Sequence, residues 1–257
     1  MRHTRTGLAA SVLAAGSLLA ALAVAGCGDE NHAKWSYHGK TGPPHWGSLD
    51  PAYKECSGER QSPVDLRNGE FGTPPSLRVT YVPSKLTMEN HGHDIEADYE
   101  KGSKIKVAGT SYPLTRFHFH APSEHRINGV SFPLEFHFVH EKAGGSAAAV
   151  GVLVQEGAHN PAFDPLLKKL PQDKGDEVHV HGKLNAADLL PRNPDTLERW
   201  SYNGSLTTPD CDEGIRWTVF NTPVQLSAAQ IAKLTSVYDD NSRHIQPLNG
   251  RKLTFGS

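Results

Sequence analysis

Short apolar runs recur along the chain, many alternating hydrophobic or aromatic with polar positions, and Gly, Pro, Asn and Asp separate them. On that pattern Leu77–Tyr81, Lys85–Met88, Lys104–Val107, Leu114–His120, Leu134–His140, Ala148–Gln155 and Trp217–Phe220 read as β-strands. Helical signals are few. Ser227-Ala-Ala-Gln230 is a capping box and predicts a helix running to about Tyr238. Pro161 to Leu170 has room for a shorter helix. Many strands and few helices predict a mainly β fold, a large sheet with peripheral helices and loops. No repeat at solenoid spacing interrupts it.

One apolar run is of another kind. Leu8 to Ala25 is uncharged and rich in Ala and Leu, follows Arg2 and Arg5, and precedes Asp29 and Glu30. That order predicts a secretory signal. The run has 18 residues, Ser11, Gly16 and Ser17 among them, which is short for a membrane span of about 20. Val24-Ala25-Gly26 directly before Cys27 resembles the bacterial lipoprotein box, in which the Cys is lipidated and becomes the mature N-terminus. Ala23-Val24-Ala25 also permits simple cleavage after Ala25. The chain has 3 Cys, at positions 27, 56 and 211. An exported protein tends to pair its thiols, and lipidation of Cys27 leaves Cys56 and Cys211 as an even pair. The expected organisation is a signal over 1–26, a polar tether over 27–34 and one folded domain over 35–257. The expected place is the extracytoplasmic face of a bacterial membrane through a lipid anchor, or else the periplasm or cell surface.

Composition narrows the classes. With 37% hydrophobic and 21% charged residues in 257, the chain is too apolar for disorder and long enough to bury a core. Lys+Arg 26 against Asp+Glu 28 gives no basic surplus to hold a nucleic acid. The unusual count is 15 His, the residue that most often binds metals.

Three His-x-His pairs occur: His91/His93, His118/His120 and His179/His181. Residues i and i+2 of a strand face one side, so each pair can offer two imidazoles to one metal. His179 and His181 lie in a polar stretch with no third ligand nearby in sequence and read as ordinary sheet histidines. Phe117-His118-Phe119-His120 differs. It alternates aromatic and imidazole, which buries Phe on one face and aims both His into a cavity on the other. Glu135-Phe136-His137-Phe138 repeats the alternation. Two adjacent strands would bring His118, His120 and His137 to one point, and three neutral imidazoles leave zinc one open position. No H-E-x-x-H metalloprotease motif is present.

Phe117-His-Phe-His-Ala-Pro-Ser-Glu-His125, Glu135-Phe-His-Phe-Val-His140 and Ser205-Leu-Thr-Thr-Pro209 resemble the α-class carbonic anhydrases of the bacterial branch. So do Gln61-Ser-Pro-Val64, Trp200-Ser-Tyr-Asn-Gly-Ser205 and Gln246-Pro-Leu-Asn-Gly-Arg251. The resemblance runs from about Trp35 to Phe255. It implies a twisted, largely antiparallel central sheet with zinc at the base of a conical cleft, held by His118, His120 and His137. It implies reversible hydration of CO2 to bicarbonate by zinc-bound hydroxide, with CO2 and bicarbonate as the small-molecule partners. Thr207 then orients the hydroxide and hands its own proton to Glu124, and Thr208 lies beside the substrate. Glu135 bonds the outer nitrogen of His137, and Arg116 and Asn241 fall in the same outer shell. Val139, Ala149, Leu206, Ile215 and Trp217 match the apolar CO2 wall. Cys56 and Cys211 match a disulfide common in bacterial members. His93, following Asn90-His91-Gly92, matches the histidine that shuttles protons to bulk buffer, and His91 on the same side is a second candidate.

Four positions depart from the family. Arg116 stands for a Gln that accepts a bond from the first ligand. Arg cannot accept one, so His118 needs another partner or a water. Asp210 and His244 stand for prolines and Ala149 for a larger Val. Two other functions share these residues. One is a non-catalytic module of the same fold, zinc-binding or zinc-free; the other is a zinc esterase acting as a side activity.

Overall fold

In this computed structural model the described residues are 1, 32–238 and 240–257. The chain divides into two compact units, Met1–His32 and Ala33–Ser257. The expected signal, Cys27 and most of the tether lie outside the described residues. The second unit begins at Ala33, whose N–H donates to Asp50 Oδ2 at 2.8 Å.

The strands, in chain order, begin with β1 (Asp65–Leu66), β2 (Glu70–Phe71), β3 (Leu77–Thr80), β4 (Leu86–Asn90) and β5 (Ile95–Tyr99). Next come β6 (Lys104–Val107), β7 (Thr110–His120), β8 (Arg126–Ile127), β9 (Leu134–Lys142) and β10 (Ser146–Glu156). The last are β11 (Glu177–His179), β12 (Arg199–Ser205), β13 (Glu213–Phe220), β14 (Val224–Leu226) and β15 (Thr254–Gly256). The main sheet runs β11-β4-β5-β7-β9-β10-β13-β12-β15-β2, with β3, β6 and β14 attached at its side. Its pairings are mostly antiparallel. β10 makes parallel pairs with β13 and β14, and β15 with β2, so the sheet is mixed.

All seven strands read from the sequence are present, most with longer ends. β5 and β12 were not read as strands, although both alternate. Ile95, Ala97 and Tyr99 are buried on β5, Trp200 and Tyr202 on β12. The capping box at Ser227 forms as expected, but its helix, Ala228–Thr235, ends before Tyr238. Pro161–Leu170 yields one 3₁₀ turn, Pro161–Phe163, and one α turn, Asp164–Leu167. Pro171 biases Leu170 away from the helical region and closes the segment.

Two apolar layers flank the central strands. Phe117 and Phe119 of β7, Phe136 and Phe138 of β9, and Val150, Val152 and Val154 of β10 join the larger core. The aromatic pairs meet across the strands, Phe117 with Phe138 at 5.3 Å and Phe119 with Phe136 at 5.6 Å between centroids. Burying one such side chain contributes about 1.5–3 kcal/mol. Ala147, Ala149 and Leu153 of β10 turn the other way, towards Tyr202, Ile215, Trp217 and Val219. The period of two thus sends one set of residues to the core and the alternate set to the site.

Candidate active site

The β7–β9–β10–β13 register builds the site in rows. Arg116, Val139, Ala149 and Trp217 stand side by side in one row; His118, His137, Gly151 and Val219 form the next. His120 and Glu135 face each other in the third. His118, His120 and His137 therefore converge from two strands. Their ring centroids are 4.9, 5.3 and 4.6 Å apart, and one nitrogen of each lies within 4.8 Å of the others.

The hydrogen bonds fix which nitrogens face inward. His120 Nδ1 donates to the Asn241 carbonyl at 2.7 Å, so Nε2 carries the lone pair, and that atom is buried with no protein partner. His137 Nε2 lies 3.0 Å from Glu135 Oε1 outside hydrogen-bond geometry, and Nδ1 stands on the other side of the ring, 3.8 Å from Glu124 Oε2. A buried, unprotonated nitrogen that no protein group satisfies, as at His120 Nε2, fits a metal ligand. Burial is the main cause that holds all three imidazoles neutral. His118 is pushed far down, with His120 and His137 adding to the effect. His120 is lowered to about 4, and His137 is lowered against the opposing pull of Glu135.

Behind the ligands the polar groups are closely tied. Glu135 is fully buried. Its Oε1 accepts from His125 Nδ1 at 2.7 Å, and its Oε2 takes the N–H groups of Glu124 and His125 at 3.0 and 2.8 Å. Burial alone would raise this carboxyl, but His125 and His137 outweigh it and hold it well below the usual range. His125 continues the chain of bonds to Tyr202 Oη at 2.6 Å, and Tyr202 to Ser62 Oγ at 2.9 Å. Asn241 also clamps β7: its side chain bonds Ala121 N, Phe119 O and His93 O. Burial raises Glu124 to about 7, countered by His137, by the Arg243 N–H on Oε1 at 2.8 Å, and by the nearby Thr207 hydroxyl.

A cleft of about 340 Å³ opens over these groups. Val139, Ala149, Leu206 and Trp217 line one part, with Thr207 and Thr208; His91, His93, Asp94, Glu96 and Arg116 line the rest. Ile215 is 5% exposed and packs with Ala149 and Trp217 in one apolar cluster. Alternation marks it as buried without saying against what. Arg116 turns to carboxylates, Nε to Glu96 at 2.8 Å and Nη1 to Glu141 at 2.7 Å. His118 Nδ1 is buried with no protein partner. His93 packs against Trp35 with ring centroids 4.4 Å apart and planes tilted by 50°, and is one-third exposed. Burial, then His91 and Lys174, lower it to about 4. Cys56 and Cys211 are joined, and the Cys211 N–H bonds Thr208 O at 2.7 Å, which ties the loop carrying the threonines. His179 bonds Thr87 Oγ1 at 3.0 Å, away from the cleft.

Sequence reasoning gave His125 and Tyr202 no role and passed over Asp94 and Glu96. The acids do carry a signal, since Asp94, Glu96 and Asp98 alternate with Ile95, Ala97 and Tyr99. Two further ligand-like groups, His125/Glu135/His137 and Asp94/Glu96/His118, share spacing with metal sites. In the first the atoms are spent on one another, and in the second the Arg116 cation sits on Glu96.

Three neutral imidazoles meeting at the foot of a half-apolar cleft are the donor set of three-histidine metalloenzymes. A family profile for eukaryotic-type carbonic anhydrase matches residues 41–256. The carbonic anhydrase of Nostoc sp. is 38% identical over 224 residues, 84% of this chain and 84% of that one. That of Neisseria gonorrhoeae is 38% identical over 237 residues, 91% and 92% of the two chains. The solved α-carbonic anhydrase of Thermovibrio ammonificans, in complex with the inhibitor sulfanilamide, matches with TM-score 0.82 at 39% identity, over 86% of this chain and 99% of that one. The chain belongs to the eukaryotic-type, or α, carbonic anhydrase family, whose members are zinc enzymes that hydrate CO2.

Proposed function

We propose that this chain hydrates CO2 reversibly to bicarbonate and a proton, with zinc held by His118, His120 and His137. The observation that carries the reading is the convergence of three neutral imidazole nitrogens within 4.8 Å at the foot of the cleft. Zinc held by these residues would supply hydroxide at neutral pH, by lowering the pKa of water to about 7; carbonic anhydrase is the standard instance of that magnitude.

The protein's own part is orientation. Thr207 lies near Glu124. With its proton committed to that carboxylate, Thr207 Oγ1 turns a lone pair to the cleft, accepts the hydrogen of the nucleophile and aims it. Val139, Ala149, Leu206 and Trp217 give the apolar substrate a wall, with Thr208 at its edge. Glu135 and Asn241 hold His137 and His120 in single tautomers, the support that metal ligands need. His93 carries the product proton from the cleft to solvent.

The reading extends to export. With Cys56 and Cys211 joined, Cys27 is the one thiol left over, which supports lipidation there and anchoring at the extracytoplasmic face of a membrane. Mass spectrometry of the native protein should find a lipidated Cys27 at the N-terminus; an unlipidated chain starting at Gly26 refutes the anchor. For the activity, the test is zinc-loaded protein assayed for CO2 hydration and for ester cleavage. Fast hydration with weak esterase activity is expected. A fully loaded protein inert towards CO2 would leave a non-catalytic module.

A further inference from the structure

Asp94 has no part in the reaction as described. Its side chain is 8% exposed, it lies on the cleft wall, and its Oδ1 makes no hydrogen bond with the protein. A buried carboxylate oxygen without a protein donor must be met by water or by a proton. The side chain is held in place through its own backbone, since the Asp94 carbonyl accepts from the His91 N–H at 3.0 Å and from Tyr238 Oη at 2.6 Å. On the solvent side Oδ1 stands 3.6 Å from His93 Nε2. On the metal side, oxygens of Asp94 and Glu96 and a ring nitrogen of His118 fall within 4.8 Å of one another. That is a span one water can bridge.

We propose that Asp94 is a proton relay between the water of the cleft and His93. The inference rests on the CO2-hydration reading above. Oδ1 takes a proton from a cleft water, forming an O–H bond as that water's own O–H bond breaks, and the proton released by hydration makes the water whole again. The same proton then passes to His93 Nε2 as that bond breaks. The carboxylate is restored, and His93 gives the proton to buffer.

The groups around Asp94 suit it to this. Burial raises its carboxyl towards neutrality and Glu96 adds to the rise, while His91 and Arg116 oppose it. Tyr37 and Tyr238 also face it, and burial keeps both phenols protonated at that pH. His93, lowered to about 4 by burial, His91 and Lys174, holds a proton poorly at neutral pH by itself. Beside an ionised Asp94, 3.6 Å away, its imidazolium is stabilised. Proton transfer is most efficient when the relay's affinity lies near the working pH. Asp94 brings that property to a cleft where His93 alone lacks it.

The test is Asp94→Asn, which keeps size and loses the titratable oxygen. At saturating CO2 in weak buffer its rate should fall about tenfold or more. The rate should recover in concentrated imidazole, with kcat/KM and zinc content at parental values. In ¹³C NMR of the parent, zinc-loaded and zinc-free, the Asp94 carboxyl should titrate near neutrality. His93→Ala combined with Asp94→Asn should be no slower than the slower single variant, because both serve one path. A parental rate for Asp94→Asn in weak buffer, or a carboxyl that titrates in the ordinary carboxylate range, overturns the relay. A zinc-loaded parent that does not hydrate CO2 overturns the function instead, a result read on the parent alone.

Discussion

Gly151 is the notch that admits Glu135. It stands beside His137 in the β9–β10 register and beside Val219 in the β10–β13 register. A Cβ at this position would lie 2.8 Å from Glu135 Oε1 and 3.1 Å from Val219 Cγ2. An ordinary contact begins near 3.4 Å, so Oε1 would have to retreat by roughly 0.6 Å. A free glutamate would move aside, but this one accepts three hydrogen bonds and lies 3.0 Å from His137 Nε2 while fully buried. The bond from His125 and the contact with His137, both on Oε1, would stretch first. Each bond to a charged acceptor is worth about 1.5–3 kcal/mol net. Gly151→Ala should therefore cost about 2–4 kcal/mol of stability. Because His137 loses its orienting partner, zinc affinity should drop about 10–100-fold. Urea unfolding of the zinc-free protein reads the first quantity, and competition with a chromophoric chelator reads the second. Gly72→Ala is the control, since a Cβ there meets nothing within 4 Å. If the two variants behave alike in both assays, the notch argument is wrong.

Other outcomes follow from the same contacts. His137→Ala should lose zinc and nearly all CO2 hydration, whereas His179→Ala and His181→Ala should keep both; zinc analysis at full occupancy in His137→Ala would refute the ligand set. The Cys56–Cys211 bond spans 155 residues, and loop-closure entropy over that length predicts about 5 kcal/mol of stabilisation. Replacing both cysteines by serine should lower the urea midpoint accordingly and raise KM by loosening Thr208, and an unchanged midpoint would show that the bond contributes little.

The zinc ligands were legible because their signal is local. Phe-His-Phe-His needs only the two-residue period of one strand to separate core from site, and Glu-Phe-His-Phe repeats it, with His137 seventeen positions after His120. What the sequence did not reveal depends on register between strands far apart in the chain. Glu96 reads as a surface acid until β5 pairs with β7 and sets it opposite His118. Asp94 likewise resembles a solvated loop residue until the Tyr238 hydroxyl, 144 residues away, closes over its backbone. Arg116 was seen to lack an acceptor for His118, but its partners Glu96 and Glu141 come from the strands on either side.

His140 makes the fold sensitive to acid for a reason separate from the metal. The side chain is fully buried. Nδ1 donates to the Ala148 carbonyl at 3.3 Å, so Nε2 accepts from Tyr81 Oη at 2.7 Å. Both bonds suit the neutral ring, and a second proton would leave two donors facing one hydroxyl hydrogen and one carbonyl. Burial accordingly lowers its pKa from 6.5 to about 3, against weaker opposing bonds to the Ala148 and Phe138 carbonyls. A pKa depressed in the folded state means that the unfolded chain binds the extra proton between those limits. The stability this residue protects is therefore whole above pH 6.5 and is lost as pH falls towards 3. At 1.36 kcal/mol per unit, roughly 2 kcal/mol should be gone by about pH 5. His140→Gln cannot titrate. It should start less stable near pH 8, because the ring's packing is lost, but fall less steeply on acidification. Urea unfolding of both proteins across that range, with zinc removed, isolates the difference. Parallel curves for parent and variant would mean that His140 is not held neutral by the fold.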